Sequence, residues 1–379
     1  MAGIYVHIPF CKQACSYCNF HFSTSIRSKD AMIHSILKEL EIKSRNSAEA
    51  IETIYFGGGT PSILTVGEIN KIIDKILENY AVSRDVEITL EANPDDIDSL
   101  KLEKFSKTSV NRLSIGVQSF IDKELIMMKR AHNSNQAKKS IELSLKYFDN
   151  ISIDLIYGVP ESDIKTWKSN LDVSLTFGLN HYTAYALTLE PKTLLKKYID
   201  KEIIENLDED LVYEQFLYTN NTFLKKKYVN YELSSYAKNG FFSKNNSGYW
   251  LRKKYIGIGP SAHSFDGKKR TWNVSNNTKY IKALNNGKKF SQSELLTKKD
   301  RYNEYIMTGL RTVWGVSEEY LNDNFGEQYK DHFIEKSKKY FDHDFLIKKN
   351  NIVTTTVKGR FLADGISSDL FVINGLKSL

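Results

Sequence analysis

No apolar run in this chain is long enough to cross a membrane. The longest, residues 4–8 and 151–159, are broken by polar or glycine positions well short of the roughly 18 apolar residues that a spanning helix needs. The start, Met1-Ala2-Gly3-Ile4-Tyr5-Val6-His7, shows neither a basic leader nor a cleavage site, so a cytoplasmic protein with at most peripheral membrane contact is expected. Proline is scarce. All six, Pro9, Pro61, Pro94, Pro160, Pro191 and Pro260, follow or end an apolar run, and none interrupts a helical pattern. Cysteine is scarcer still: Cys11, Cys15 and Cys18 fall within eight residues, and there are no others. An odd, clustered set excludes a disulfide framework. Neither sign of charge dominates, with 53 basic against 46 acidic residues and a net charge of +7. That balance suits an anionic partner and requires none. What remains is ample core material, 41% hydrophobic with 20 Phe, 22 Tyr and 4 Trp over 379 residues. It excludes global disorder and suggests one large domain plus a smaller one.

Two hydrophobic periods alternate through the first 190 residues. Short β-branched or aromatic runs at 4–8, 54–56, 87–90, 112–117, 151–156 and 182–189 read as strands. The 3.6-period stretches between them, at 30–43, 66–80, 99–105, 136–147 and 164–177, read as crossover helices. Six such units predict an α/β fold, a partial six-stranded parallel β/α barrel over residues 1–190. Residues 191–297 read as a barrel extension, with one helical segment over 194–227 and short strands in 228–237 and 255–264. Residues 298–379 read as three helices, a hairpin at 345–355 and a last helix at 358–370, a small mixed α+β, winged-helix-like domain. That module is expected to serve as a structural lid or oligomer surface, with nucleic-acid binding as the alternative.

Proline and glycine recur at the carboxyl ends of the strands, the face where parallel α/β barrels build their sites. Cys11-x-x-x-Cys15-x-x-Cys18 follows the first strand. Three thiolates can hold three irons of a cubane cluster and leave the fourth iron open. Zinc is the alternative metal, with His21 as a fourth ligand. Gly57-Gly58-Gly59-Thr60-Pro61 ends the second strand, where missing side chains let the main chain approach a ligand. Glu91, Gln118 and Asp154 come from three successive strands. Their convergence on one rim suits a ligand with hydroxyl and ammonium groups.

These segments carry a family resemblance. Tyr5-Val6-His7-Ile8-Pro9-Phe10-Cys11 through Tyr17-Cys18 resembles the radical S-adenosylmethionine (radical-SAM) signature. Tyr55–Pro61, Glu91–Pro94, Ser114–Phe120, Arg130–Asn133, Asp154–Pro160 and Gly257–His263 extend it. Together they resemble the oxygen-independent coproporphyrinogen III oxidase-like family over essentially the whole chain. The resemblance implies that Cys11, Cys15 and Cys18 bind a 4Fe-4S cluster whose open iron takes the methionyl amine and carboxylate of S-adenosylmethionine. It places Tyr5 and Tyr17 beside cluster and cofactor, and Gly58, Gly59 and Thr60 at the methionyl end. Glu91, Gln118, Arg130, Asp154 and Ala186 then line the rest of the cofactor pocket.

Two branches of that family differ. The oxidases, which decarboxylate coproporphyrinogen III, resemble C-x-x-x-C-x-x-C-x-C with a longer N-terminal stretch. Here Phe20 stands in the fourth cysteine's place and ten residues precede Cys11. Both features are similar to the haem chaperone branch, HemW, which implies haem or porphyrin as ligand, delivery to a respiratory haem protein, and compatibility with a homodimer. That branch carries His-Asn-x-x-Tyr-Trp, whereas this chain reads Asn245-Asn246-Ser247-Gly248-Tyr249-Trp250. An amide does not replace imidazole as an axial ligand. A haem site would therefore use Asn246, Tyr249 and Trp250 with a ligand from elsewhere, His263 or His21 being nearest to the expected active face. The expected function is a haem chaperone, with coproporphyrinogen oxidase second and a radical-SAM enzyme acting on RNA third; nucleic acid is not an expected partner.

Overall fold

The computed structural model describes residues 2–45 and 49–373. Strand and helix alternate as the periodicity predicts. In order come β1 (Ala2–Ile8), α1 (Lys29–Ser44), β2 (Ile51–Gly58), α2 (Val66–Asn79), β3 (Val82–Ala92), α3 (Ser99–Ser106) and β4 (Arg112–Gln118). Next are α4 (Asp122–Met127), α5 (Ser134–Ser144), β5 (Ile151–Tyr157), α6 (Ile164–Thr176) and β6 (His181–Ala186). Capping boxes at Thr65/Glu68 and Asn133/Gln136 start α2 and α5 by satisfying their free amides. Strands β1 to β6 pair in parallel and in sequence order, giving the partial six-stranded β/α barrel.

The extension adds α7 (Leu194–Asp200), α8 (Glu209–Lys225), β7 (Val229–Asn230), β8 (Ser235–Ala237), α9 (Lys244–Trp250) and β9 (Lys254–Ile258). It continues with β10 (His263–Phe265), β11 (Lys269–Asn273), α10 (Asn277–Asn285) and β12 (Ser291–Leu295). β9 pairs in parallel with the outer edge of β1, and β10 to β12 run antiparallel beyond it. β8 and β7 extend the other edge from β6. The single helix expected over 194–227 is two. Glu202 takes a positive φ of 57° just after α7, and the Asp208 side chain opens α8 by accepting from Leu211 N at 3.0 Å.

Alternation along the barrel strands decides what the interior is. Ile4, Val6, Ile54, Phe56, Ile88, Leu90, Leu113, Ile115, Ile153 and Leu155 join one apolar core, packed under the helices. The other face reads Tyr5 and His7, Tyr55 and Gly57, Glu91, Ser114 and Gly116, Asp154, and Thr183. A parallel sheet is ordinarily apolar on both faces. A polar interior instead marks a barrel built around a ligand.

The C-terminal part has its own core, around Tyr302, Ile306, Leu321, Phe333, Leu346 and Val353. It runs α11 (Lys298–Leu310), β13 (Val316–Ser317), α12 (Glu318–Phe325), α13 (Glu327–Asp342), β14 (Leu346–Lys349), β15 (Ile352–Thr355), α14 (Val357–Phe361) and α15 (Ala363–Asp369). The sheet order β13-β15-β14 with two helices in tandem is a winged-helix arrangement. The last helix breaks at Leu362, whose ψ of 11° leaves the helical range. α13 carries four lysines against four acids. The module packs on the barrel: Val313 N donates to Tyr231 O at 3.1 Å, and Arg360 Nη1 to Asn230 O at 2.8 Å.

Candidate cofactor site

The carboxyl ends of the strands bring the predicted residues to one rim. Cys11, Cys15 and Cys18 occupy the loop after β1, each partly buried. Protein contacts alone fix this loop. Ser16 N donates to Met128 O at 3.1 Å and Gln13 Nε2 to Lys129 O at 2.8 Å. Lys12 pairs with Asp95 at 3.1 Å and also with Asp96. Tyr17 packs into a satellite apolar cluster with Leu125, Met128, Ile156 and Leu195.

The donor set fits an iron–sulfur cluster. Thr60 Oγ1 donates to Cys11 Sγ at 3.5 Å and Arg130 Nη1 to Cys15 Sγ at 3.2 Å, bonds that favour thiolate over thiol. Burial works the other way and pushes the Cys11 thiol up to about 11, so binding metal releases protons. The buried Arg130 Nε and Asp95 Oδ1 have no protein partner, as the lip of a polar ligand site would leave them. The zinc alternative does not fit. Among the described residues no three His, Cys, Asp or Glu side chains converge on one ion. His21 bonds Asn277 Oδ1 at 2.8 Å and stacks on His7 rather than facing the thiols.

The glycine turn is used first by the protein itself. A Cβ on Gly59 would stand 2.5 Å from Phe10 O, in the backbone of the cysteine loop. Gly58 has φ +109°, and a Cβ there would fall 2.5 Å from the His7 ring. Any side chain at either position displaces the cysteine strand before it meets a ligand.

Inside the rim, Tyr55 Oη donates to Glu91 Oε1 at 2.8 Å. Burial pushes Glu91 up to about 7, opposed by that hydrogen bond and reinforced by the Asp154 charge. Burial likewise pushes Asp154 up to about 6, opposed by Thr183 and by the Arg112 and Arg130 charges. Two acids raised in one space favour a cationic ligand. Gln118, nearly buried, holds φ +69° at a register shift in β4. Such strain in a non-glycine residue is typical of functional sites. Ala186 closes β6, and Tyr5 lies inside, bonded to His7 Nδ1 at 3.3 Å. Asn93 was not singled out by the sequence patterns. It accepts from Arg130 Nη2 at 2.6 Å and donates to Thr60 Oγ1 at 3.0 Å, tying the guanidinium to the glycine turn. Its only sequence signal is its place between Glu91 and Pro94.

The second predicted group divides. Asn246, Tyr249 and Trp250 line a cavity of about 270 Å³ with Tyr185, Glu232 and Thr308, between β6, α9 and α11. Arg311 lies over the Trp250 ring at 5.8 Å. Asn245 does not line this cavity and lies behind Tyr249, one turn away on α9. It is buried, accepts from Thr53 Oγ1 at 3.1 Å, and has its backbone amide on Glu87 Oε1. His263 is not part of this cavity: it stacks on Trp272 in the β10–β11 hairpin, with Arg270 and Glu294 for neighbours. The antiparallel hairpin turns its ring onto the sheet's extension. A larger groove of about 590 Å³ between α1 and α2, lined by residues such as Lys38, Glu41 and Lys71, lies on the helical layer away from all of these groups.

Comparison with known proteins agrees with this geometry. Residues 5–172 match the radical SAM superfamily and residues 296–362 the HemN C-terminal domain. The chain is 31% identical to the heme chaperone HemW of Buchnera aphidicola from Acyrthosiphon pisum, over 94% of this chain and 95% of that one. It is 29% identical to the heme chaperone HemW of Bacillus subtilis, over 97% and 98% respectively. Among solved structures, the coproporphyrinogen III oxidase HemN of Escherichia coli, a radical SAM enzyme, shares the fold, with a TM-score of 0.85 at 18% identity over 98% of this chain and 90% of that one. The radical SAM superfamily brings with it a 4Fe-4S cluster and S-adenosylmethionine, for which the rim has the thiols, the acids and the guanidinium. The chain belongs to the HemW family of radical-SAM proteins.

Proposed function

We propose that this protein is a haem chaperone: it binds haem and passes it to a haem-accepting respiratory protein in the cytoplasm or at the inner face of a membrane. Among the described residues no helix is long and apolar enough to cross a membrane. The observation that carries the reading is the cavity of about 270 Å³ where Tyr185, Glu232, Asn246, Tyr249 and Trp250 meet, opening beside the cofactor rim. Aromatic walls with a few polar groups suit a flat macrocycle. The cavity exceeds what a structural seam needs and is smaller than a whole tetrapyrrole, so the C-terminal module shifts or the macrocycle stays partly outside.

Three units follow from this reading. Residues 1–190 hold the cluster and cofactor, 191–297 extend the sheet and supply α9, and 298–379 close the open side. Cys11, Cys15 and Cys18 hold the cluster. Tyr5, Tyr17, Gly58, Gly59 and Thr60 surround the methionyl end, while Glu91, Gln118, Arg130, Asp154 and Ala186 line the remainder. When bound, cluster and S-adenosylmethionine supply one-electron chemistry at the rim. The chain's own part is to bind and orient. Glu91 and Asp154 offer negative charge to the cofactor's cationic groups, and Arg130, anchored by Asn93 and Gly116 O, offers donors to its carboxylate.

The test offers anaerobically reconstituted protein ferric haem and, separately, coproporphyrinogen III. Stable haem binding without decarboxylated product supports the chaperone reading. Protoporphyrinogen formation over many turnovers replaces it with the oxidase reading.

A further inference from the structure

The floor of the barrel holds a cation that acts on the rim's acids only through its field and contacts neither of them. Arg112 opens β4 and is 2% exposed, yet among the described residues it forms no ion pair. Its one side-chain hydrogen bond is Nη2 donating to Ser152 Oγ at 2.9 Å, and Nε has no partner. Two neighbours are equally stranded. Thr89 is the register partner of Arg112 on β3, fully buried with an unpartnered hydroxyl. His181 is the register partner of Ser152 on β6, 1% exposed with an unpartnered Nδ1.

The contacts suit the Nδ1–H tautomer of His181. The Tyr231 hydroxyl, which accepts from Ser243 N at 3.3 Å, lies 2.8 Å from His181 Nε2 and can donate to it. Burial and the Arg112 charge keep this imidazole neutral, and its proton is then on Nδ1. Arg112 Nε–H, His181 Nδ1–H and Thr89 O–H are then three donors without acceptors beside one buried positive charge. An unpaired guanidinium is costly to bury, and a fork of donors around it is the geometry that takes a carboxylate. The acids at hand are otherwise engaged: Glu87 takes the amides of Lys244 and Asn245, Glu91 takes Tyr55 and Asp154 takes Thr183; the last two feel the Arg112 charge but make no ion pair with it among the described residues. Tyr231 links the floor to the lateral cavity: its hydroxyl meets His181 at the start of β6, and the next residue, Glu232, lines the cavity with Tyr185 from the far end of the same strand.

We propose that Arg112, His181 and Thr89 form a carboxylate receptor that takes a propionate of the bound haem. This inference rests on the haem reading above. The other carboxylate in reach, the methionyl carboxylate of S-adenosylmethionine, lies at the rim with Arg130, and the experiment separates the two.

Reconstituted full-length protein is titrated by absorbance with ferric haem and with its dimethyl ester, which keeps the macrocycle and lacks both carboxylates. Wild type should bind haem at least tenfold more tightly than the ester. Arg112→Gln should bring haem down to the level of the ester and leave the ester unchanged; S-adenosylmethionine is measured alongside by calorimetry. Arg112→Lys should recover part of the preference for haem. Equal affinity of wild type for haem and ester overturns the receptor, and that comparison needs no substitution that could impair folding. A Gln variant that loses haem and ester in equal proportion assigns Arg112 a structural role. A loss confined to S-adenosylmethionine assigns the carboxylate to the cofactor. Absence of any haem binding by wild type removes the haem reading itself, and the receptor with it.

Discussion

Glu91→Gln tests whether the barrel interior is built for positive charge. The carboxyl ordinarily titrates at 4.5, and burial carries it to about 7 in the fold, with the Tyr55 hydrogen bond opposing and the Asp154 charge adding. A raised carboxyl pKa favours the protonated fold. Its contribution is fully present below 4.5 and is lost as pH rises through about 7. The gap between those values sets a ceiling of about 3 kcal/mol, at about 1.4 kcal/mol per pH unit. Water at the open rim lowers this to about 2 kcal/mol. Glutamine keeps the shape and cannot ionise. Cofactor-free Glu91→Gln should therefore match wild type near pH 5 and exceed it by about 2 kcal/mol near pH 8.5. In urea, with a slope of about 2 kcal/mol per molar, the midpoint moves up by roughly 1 M at the higher pH only. The same variant should bind S-adenosylmethionine about tenfold to a hundredfold more weakly near pH 8.5, the loss of one charged hydrogen bond at about 1.5–3 kcal/mol. A stability difference identical at both pH values refutes the electrostatic account, and unchanged cofactor affinity refutes the role of Glu91 in the pocket.

Replacing Cys11, Cys15 or Cys18 by Ala should each reduce iron from about four per reconstituted chain and remove the cluster absorbance; a variant with full iron content overturns the ligand assignment. Gly59→Ala adds a Cβ that would stand 2.5 Å from Phe10 O, in the backbone of the cysteine loop. Iron content should fall because the cysteine loop is displaced, and full cluster loading in this variant would show that the loop tolerates the shift. Asn245→His should leave the haem titration unchanged, because Asn245 bonds Thr53 and reaches the cavity only through Tyr249, not by lining it. A new imidazole-ligated haem spectrum would show that α9 turns when haem binds.

How much of this was legible in the sequence depends on what each signal measures. Strand and helix alternation through β6 was readable because both hydrophobic periods are strong there, and the edges moved by only a few residues, as in β2, where 54–56 grew to Ile51–Gly58. The breaks between α7 and α8 and at Leu362 were not, because local caps and single backbone angles set them while the apolar period runs on. The glycine turn, Glu91, Gln118 and Asp154 were readable from strand ends, a rule of topology that needs no coordinates, whereas Tyr5, Tyr17, Arg130 and Ala186 came only from the family resemblance. Asn93 and Tyr55 escaped because their role lies in contacts across strands: Arg130 and Thr60 for one, Glu91 for the other.

Position 245 shows the limit most clearly. As a motif, Asn245 sits beside Asn246, Tyr249 and Trp250 and reads as the first member of one haem-binding set. On a helix, neighbours in sequence point about 100° apart, so Asn245 and Asn246 serve different spaces, one closing the barrel floor on Thr53 and the other facing the cavity. The same geometry explains Arg112, which appears in the sequence only as the polar start of an apolar strand. Inward alternation on β4 delivers its charge to the barrel floor, where β3 supplies Thr89, β5 supplies Ser152, and β6 beyond it supplies His181. A linear motif groups residues by chain order, whereas a barrel groups them by layer. The chemistry that a linear motif misses is therefore found by reading across the strands at one height.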